Sequence, residues 1–369
     1  MVRNATSQRW DPEEVAAVAA IRRRCRAEIA GAGQYADVIG DRKIVRFLRG
    51  HKGDVDKVTD LFKGWLKFRQ DEGMDKIREN IVVGGMNAPE RWPNGEVIQK
   101  HSRSVVAPQG MVDKFGAPLI MEYFDIDFDA MLSDLSPSVD EALKMVRTWW
   151  LYNLEFRALI LEQLSEERER EAENKATNGT KTGVLVQLCI IRNLQGLSRK
   201  ILSNPGRGAS QEIMQLASAN YPEMMRKCHI VNAPYIFDWA WSAIKAFIPA
   251  ATIAKITVSG GSFMEALKQD MDMSVIPSSI GGEASLAENK GFPFDPELLK
   301  MHAVEETADA PTERVRRPAF LPEPLLVQGK PCVSDDELFF TPREALQPEP
   351  RSVLWMFASC ASSQSRKMD

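Results

Sequence analysis

The apolar positions in the first 80 residues recur with a helical period. Asp11 is followed by a proline and two glutamates, which predicts a helix start because aspartate caps a first turn and acidic side chains favour the positive end of the helix dipole. We expect this helix to run from residue 12 to about residue 29, with further helices over residues 41–49 and 54–73. Residues 1–80 are therefore predicted to form a helical N-terminal module.

The pattern then changes to short apolar runs separated by helical segments. Strands are predicted at residues 118–126, 184–191, 229–231 and 256–258, and the longest intervening helix at residues 139–171. The second run is almost continuously apolar, as expected for a strand that is covered on both faces. Strands that alternate with helices predict crossover connections, an α/β fold and a mostly parallel sheet.

The last part of the chain differs in composition. Residues 283–369 contain 10 of the 21 prolines and carry 15 acidic against 10 basic side chains. No long periodic segment occurs among them, so we expect residues 286–369 to be an extended or disordered Pro-rich acidic tail. This leaves residues 81–285 as the predicted α/β domain.

Charge and cysteine usage narrow the classes of function. The chain has 47 basic and 51 acidic side chains, and the part before the tail is nearly neutral. Nucleic-acid binding needs concentrated basic residues, so no nucleic-acid partner is expected, and any membrane contact should be transient. The five cysteines include no CxxC pair, and no apolar run reaches 18 residues. These features predict a cytoplasmic protein with free thiols.

No motif of an enzyme is visible. The sequence lacks a phosphate-binding loop, a GxSxG elbow, an HExxH motif and paired metal-ligand spacings. His229 lies within an apolar strand and is interpreted as a packed core histidine. We therefore predict a protein that is not an enzyme and has no catalytic residue, metal or cofactor.

The segment at residues 234–248 has an unusual helical pattern. Its apolar residues surround most of the helix, and Asp238, Ser242 and Lys245 form only a narrow polar wedge. One interpretation is a fully buried helix. The other is a lid that covers an apolar cavity with one face and meets a membrane with the other.

Several short motifs occur in one collinear order over about residues 40–285. They are Ile44-Val45-Arg46-Phe47-Leu48-Arg49, Tyr221-Pro222-Glu223, Asn232-Ala233-Pro234, Lys255-Ile256, and Ile276-Pro277 with Gly281-Gly282. Together they resemble the CRAL-TRIO lipid-binding domain, and more closely the Sec-fourteen-like phosphatidylinositol transfer proteins. The resemblance implies a bowl in which a mostly parallel sheet forms the floor of a lipid pocket and a mobile helix gates its mouth.

The resemblance also implies site residues. The gate helix is matched by residues 234–248, with gate residues Phe237, Trp241, Ile244, Phe247 and Ile248. The residues that hold the phosphatidylinositol headgroup are matched by Lys52, Glu223, Thr252 and Lys255. Such roles are physically reasonable, since lysine gives charge-assisted hydrogen bonds to a phosphodiester and a glutamate accepts from inositol hydroxyls. The ligand is then a bound phospholipid.

A second ligand is less well matched. Tyr152 matches an aromatic residue that serves the second lipid in this family, but Leu188 and Ile190 stand where phosphatidylcholine-binding members have small hydroxyl residues, and Ala117 replaces the usual arginine. A polar headgroup would lose partners there. We therefore expect phosphatidylinositol in preference to phosphatidylcholine, with a less polar molecule such as a sterol as second ligand.

The sequence thus predicts a cytosolic carrier or exchanger of phosphatidylinositol that presents this lipid to membranes or to a lipid kinase. One alternative is a carrier of another hydrophobic ligand, such as a sterol, tocopherol or retinoid. Another is a lipid-sensing adaptor whose tail binds a protein partner.

Overall fold

The structure of the protein is a computed structural model with a mixed α/β fold, in which helices cover both faces of one five-stranded sheet. It describes residues 10–32, 35–106, 110–123, 128–175, 183–197, 215–235, 237, 241, 250–285 and 291–299.

Five helices form the first part of the described chain. They are α1 (Pro12–Arg24), α2 (Arg26–Ala32), α3 (Asp41–Gly50), α4 (Val55–Asp71) and α5 (Met74–Val82). Helix α1 begins with a capping box, in which the Asp11 carboxylate accepts from the Glu14 backbone N–H at 2.8 Å. The predicted single helix over residues 12–29 is wrong at Cys25, which separates α1 from α2 and turns its fully buried thiol into the core. The sequence has no glycine or proline there to indicate the break.

The first of three apolar clusters lies among helices α1 to α4. Its centre is an aromatic group in which the ring centroids of Phe47 and Phe62 lie 6.1 Å apart and those of Phe62 and Trp65 lie 5.6 Å apart. Phe47 comes from α3 and the other two residues come from α4. Their contact fixes how these two helices pack.

The sheet confirms the predicted mostly parallel arrangement. Its strands are β1 (Ser104–Val106), β2 (Leu119–Tyr123), β3 (Leu188–Asn193), β4 (Met225–Val231) and β5 (Ile256–Val258), in spatial order β1-β2-β3-β4-β5. Only β1 runs antiparallel to its neighbour. The predicted strand over 184–191 begins later, because the Val186 backbone N–H donates to Ser165 Oγ at 3.0 Å and its carbonyl accepts from Arg46 at 2.8 Å.

The remaining helices cover the sheet. They are α6 (Gly95–His101), α7 (Phe128–Leu135), α8 (Val139–Lys175), α9 (Ala250–Ile253) and α10 (Met264–Asp270), with residues 215–220 also helical and short 3₁₀ turns at Pro89–Arg91, Met273–Val275, Ser278–Ile280 and Pro296–Leu299. Strand residues alternate between the two faces. Leu188 and Ile190 belong to the cluster that includes α8, whereas Cys189 and Ile191 belong to the cluster that includes α10.

Residues 291–299, here called the C-terminal strap, pack against the helices. The Phe292 backbone N–H donates to the Asn87 carbonyl at 2.8 Å, and Arg78 donates to the Leu298 carbonyl at 2.6 Å. Phe292 and Leu298 are both buried. The strap is the described part of the range 286–369 that the sequence assigns to a tail. The rest of that range lies outside the described residues, and the boundaries of the three predicted regions stay a prediction.

A buried carboxylate ties α8 to the helices before the sheet. Both oxygens of Glu155 accept from Arg69 of α4 at 3.0–3.1 Å, and Glu155 Oε2 also accepts from the Tyr221 hydroxyl at 2.8 Å. Burial alone raises the pKa of Glu155, but the guanidiniums of Arg69 and Arg78 outweigh burial and lower this pKa. Glu155 is therefore an ionised group held by fixed positive partners.

Candidate functional site

Glu223 lies in the turn immediately before β4 and is held from two sides. Its backbone has a left-handed φ of 56°, and its carbonyl accepts from Arg46 at 2.8 Å and from Gln187 at 3.0 Å. Its carboxylate Oε2 accepts from Lys255 Nζ at 2.8 Å and from Gln187 Nε2 at 2.9 Å. The backbone of Glu223 is thus fixed, while its carboxylate is shared between a lysine and an amide.

Thr252 and Lys255 reach the same place from the other end of the site. The Lys255 backbone N–H donates to the Thr252 carbonyl at 3.0 Å, and the Lys255 carbonyl accepts from Cys228 of β4 at 2.8 Å. Thr252 is buried, but the side chains of Lys255 and Glu223 are 27% and 24% exposed. The structure therefore brings three of the four predicted headgroup residues together, with a lysine–glutamate pair that solvent can reach.

Lys52 lies in the turn that follows α3, with a left-handed φ of 59°. This turn runs against the Glu223 turn: a Cβ added at Gly50 would lie only 2.9 Å from Pro222 Cβ. The Lys52 side chain is exposed and makes no ion pair with any described residue. Beside it, His51 is buried, and burial lowers its pKa. Lys52 is thus near the other three residues in the fold without contacting them.

Sequence reasoning missed two residues that position Glu223. Arg46 belongs to the motif at residues 44–49, and its guanidinium bridges the carbonyls of Glu223 and Val186, each at 2.8 Å. Burial and the nearby Arg42 lower the pKa of Arg46 to about 9. The sequence contains one indication that Gln187 has a special role, because it is the lone polar residue in the apolar run 184–191.

The predicted second-ligand residues lie in one buried cluster. Tyr152 of α8 and Leu188 and Ile190 of β3 all belong to the cluster on the α8 face of the sheet. The Tyr152 hydroxyl accepts from Asn80 Nδ2 at 2.8 Å. The sheet thus presents an apolar floor on this face, with a polar group of Tyr152 directed to Asn80.

Two of the predicted gate residues belong to the same cluster. Phe237 and Trp241 are buried, and their rings stack with centroids 6.1 Å apart and planes inclined by 23°. The other predicted gate residues, Ile244, Phe247 and Ile248, lie outside the described residues. Phe237 and Trp241 thus pack within the same apolar cluster as residues of α8 and the sheet.

A buried ion-pair group lies on the same sheet face. Glu122 of β2 accepts from Arg157 of α8 and from Arg192 of β3, each at 2.6 Å. Burial raises the pKa of Glu122, but the two guanidiniums dominate and lower it to about 2. This carboxylate links the floor of the sheet to α8.

We expect acid to weaken the fold partly through Glu122. Because its folded pKa of about 2 lies below its ordinary value of 4.5, its contribution is fully present above the ordinary value and is lost as the pH falls towards about 2. Glu122→Gln should destabilise the protein at neutral pH by on the order of 3 kcal/mol, and the difference from wild type should shrink in acid. Urea unfolding across the pH range measures the free energy of unfolding of both proteins.

Asp71→Asn, which changes an exposed carboxylate, is the control and should leave the pH profile of stability unchanged. Parallel profiles for wild type and Glu122→Gln would contradict the role of Glu122 in acid sensitivity.

Within the part of the chain that the structure describes, no three His, Cys, Asp or Glu side chains are grouped to hold a metal ion. Nor does any described helix combine the length and apolarity needed to cross a bilayer. His229 is packed on the α10 side of the sheet, with Nε2 3.0 Å from Asp270 Oδ2. Burial lowers the pKa of His229 to about 4, so the imidazole is neutral in the fold.

The chain has recognisable relatives. Residues 154–282 match the CRAL/TRIO domain family. Phosphatidylinositol/phosphatidylcholine transfer protein SFH7 of Arabidopsis thaliana is 26% identical over 268 residues, which cover 70% of this chain and 43% of that protein. A CRAL-TRIO domain-containing protein of Caenorhabditis elegans is 28% identical over 256 residues, covering 68% of this chain and 31% of that protein. The chain thus spans less than half the length of both relatives.

A shorter relative is covered more completely. The SEC14 cytosolic factor of Kluyveromyces lactis is 24% identical over 261 residues, which cover 70% of this chain and 75% of that protein. Among solved structures, the crystal structure of Sfh5 matches 74% of this chain and 96% of its own with a TM-score of 0.46 and 13% sequence identity. The domain match begins within α8 and ends at Gly282, so it contains strands β3 to β5 and the Glu223 turn. Over these residues the chain is therefore similar to the CRAL/TRIO domain family.

Proposed function

We propose that the protein binds phosphatidylinositol and transfers it between membranes. One relative supports lipid binding and transfer by its name, which is phosphatidylinositol/phosphatidylcholine transfer protein, and another is named a cytosolic factor. The observation that carries the headgroup assignment is the solvent-accessible pair of Lys255 and Glu223, 2.8 Å apart and braced by Gln187. Cytoplasmic location, transient membrane contact and presentation of the lipid to a kinase are parts of this proposal.

The pair suits a headgroup that is both an anion and a polyol. When a phosphodiester approaches, the Lys255 ammonium moves from Glu223 to the phosphate and makes charge-assisted hydrogen bonds. The released Glu223 oxygen then accepts from an inositol hydroxyl, while Gln187 keeps the carboxylate in place. Thr252 supplies a hydroxyl that donates or accepts. Lys52, exposed on its turn, adds a second positive charge.

A lipid needs a carrier because its acyl chains are costly to expose to water, and the apolar floor of the sheet offers them a dry surface. Burial of each methylene contributes roughly 0.8 kcal/mol of transfer free energy. Moving an acyl chain of about 18 carbons from the bilayer into water therefore costs roughly 14 kcal/mol. A pocket that replaces the bilayer with apolar protein makes transfer nearly neutral in free energy. No covalent bond changes in this process, so no catalytic group is required.

We expect Trp241→Glu to slow lipid transfer by at least about tenfold. Trp241 is 9% exposed and stacks on Phe237, so a carboxylate there either stays buried at high cost or forces this part of the segment away from the sheet. Transfer of labelled phosphatidylinositol between vesicles measures the effect. Trp241→Phe keeps an aromatic ring and should transfer at close to the wild-type rate. Equal rates for wild type and Trp241→Glu would contradict a gating role for this segment.

Mass spectrometry of the lipids that copurify with the wild-type protein tests the proposed function directly. We expect phosphatidylinositol as a major bound species. A sterol, tocopherol or retinoid in its place would support the alternative of another hydrophobic carrier. A bound lipid that never exchanges between vesicles would favour the lipid-sensing adaptor, with a protein partner bound by residues 286–369.

A further inference from the structure

A cavity is lined by residues other than those that form the Glu223 site. It has a volume of about 350 Å³ and lies between the starts of β2 and β3, helix α8 and the C-terminal strap. Its apolar walls include Val106, Val112, Leu119, Ile160, Leu188 and Phe292. This volume is near the lower end of the roughly 300–1,000 Å³ typical of small-molecule sites. It therefore suits one slender apolar molecule and not a two-chain phospholipid.

Arg168 supplies a polar group at this cavity. The guanidinium Nη2 donates to the carbonyl of Gly116. The other terminal nitrogen, Nη1, is buried and has no hydrogen-bond partner among the described residues. A buried donor without a partner is unfavourable, and an oxygen of a bound molecule would satisfy it.

The charges around Arg168 select the kind of oxygen. Glu167 also lines the cavity, and Asp113 and Glu171 act electrostatically on Arg168. Asp113 is in turn paired with Arg226. These carboxylates already offset part of the positive charge of this guanidinium, which favours a neutral oxygen over another anion. A hydroxyl or carbonyl oxygen accepts the hydrogen bond without adding charge.

We propose that this cavity binds an uncharged amphiphile, whose hydroxyl or carbonyl oxygen accepts from Arg168 Nη1 and whose apolar body lies between β3, α8 and Phe292. This inference deepens the proposed carrier function, since it names the chemical class of the second ligand. It also gives the strap a role, because Phe292 forms one wall of the site.

The test uses the full chain and two probes that share one alkyl chain, hexadecanol and palmitate. We expect wild type to bind hexadecanol at least about tenfold more tightly than palmitate. Arg168→Met keeps an apolar stem of similar length and removes the donors, and it should lose this preference. Arg170→Met changes an exposed arginine on the same helix and should keep it. Val112→Trp fills the cavity from its partly buried rim and should weaken both probes.

Three results would overturn the inference. They are equal affinity of wild type for the two probes, an unchanged preference in Arg168→Met, and loss of copurifying phosphatidylinositol in Val112→Trp, which would assign the cavity to the acyl chains of that lipid. Failure of the proposed function is distinguishable. If wild type binds no phosphatidylinositol but prefers hexadecanol in an Arg168-dependent way, the headgroup proposal is wrong and the cavity proposal holds.

Discussion

Lys255→Ala is expected to reduce phosphatidylinositol binding by about 10- to 100-fold while the protein stays folded. The ammonium of Lys255 is the one described cation that contacts the Glu223 carboxylate directly by an ion pair, at 2.8 Å. A hydrogen bond that involves a charged group contributes about 1.5–3 kcal/mol, and each 1.4 kcal/mol changes affinity tenfold. The side chain is partly exposed, so its removal leaves no cavity in the core.

The measurement is the amount of phosphatidylinositol bound per protein, by mass spectrometry and by titration with labelled lipid. Lys268→Ala is a matched control, because Lys268 is an exposed lysine on α10 whose ion-pair partner among the described residues is the exposed Glu265. It should bind as wild type does. Equal lipid content in Lys255→Ala and wild type, with both proteins folded, would remove Lys255 from the headgroup site.

Glu223→Gln separates charge from hydrogen bonding at the same site. The amide still accepts from an inositol hydroxyl, but it no longer holds the Lys255 ammonium by an ion pair. Comparing Glu223→Gln with Lys255→Ala therefore tells whether the pair acts mainly on the phosphate or on the inositol ring.

The sheet could be predicted from the sequence because both of its faces are buried. Strand β3 alternates Leu188 and Ile190 on one face with Cys189 and Ile191 on the other, so the whole run is apolar and stands out. The start of β4 could not be recognised in the same way. Arg226 and Lys227 lie in this strand, and Arg226 is stabilised by Asp113 and Asp270, which are distant in sequence.

The proposed headgroup residues come from a family resemblance, but the contacts between them could not be predicted from the sequence. Nothing in local sequence indicates that Arg46, far from Glu223 in the chain, would fix the Glu223 carbonyl. The strap was missed for a different reason. Its prolines and lack of periodicity are typical of a tail. Two phenylalanines and two hydrogen bonds between Phe292 and Asn87, one of them from the Asn87 side chain, are nevertheless enough to hold it against the fold.

Arg69→Met is expected to lower the free energy of unfolding by about 3–5 kcal/mol at neutral pH, because it leaves the buried Glu155 without its bidentate partner. Glu155 is 1% exposed, and its remaining polar contacts among the described residues are the Tyr221 hydroxyl at 2.8 Å and Arg78 at 3.7 Å. Neither replaces two charge-assisted hydrogen bonds. Thermal and urea unfolding measure the loss. Lys67→Met on the same helix removes only an exposed pair with Asp71 and should change stability by about 0.5 kcal/mol or less.

The pH dependence distinguishes an unpaired buried charge from simple loss of packing. In wild type the pKa of Glu155 is lowered, so its contribution to stability is present above the ordinary carboxyl value and is lost as the pH falls. In Arg69→Met the main cause of this lowering is gone and desolvation dominates, so protonation of Glu155 should relieve part of the penalty in mild acid. The difference in free energy of unfolding between Arg69→Met and wild type should therefore narrow as the pH falls.

Arg69→Met combined with Glu155→Gln should recover much of the lost stability at neutral pH, since Glu155 no longer leaves a buried charge unpaired. A double variant no more stable than Arg69→Met would instead assign the loss to the packing of the Arg69 side chain against Trp65, whose ring centroid lies 5.4 Å from the guanidinium carbon.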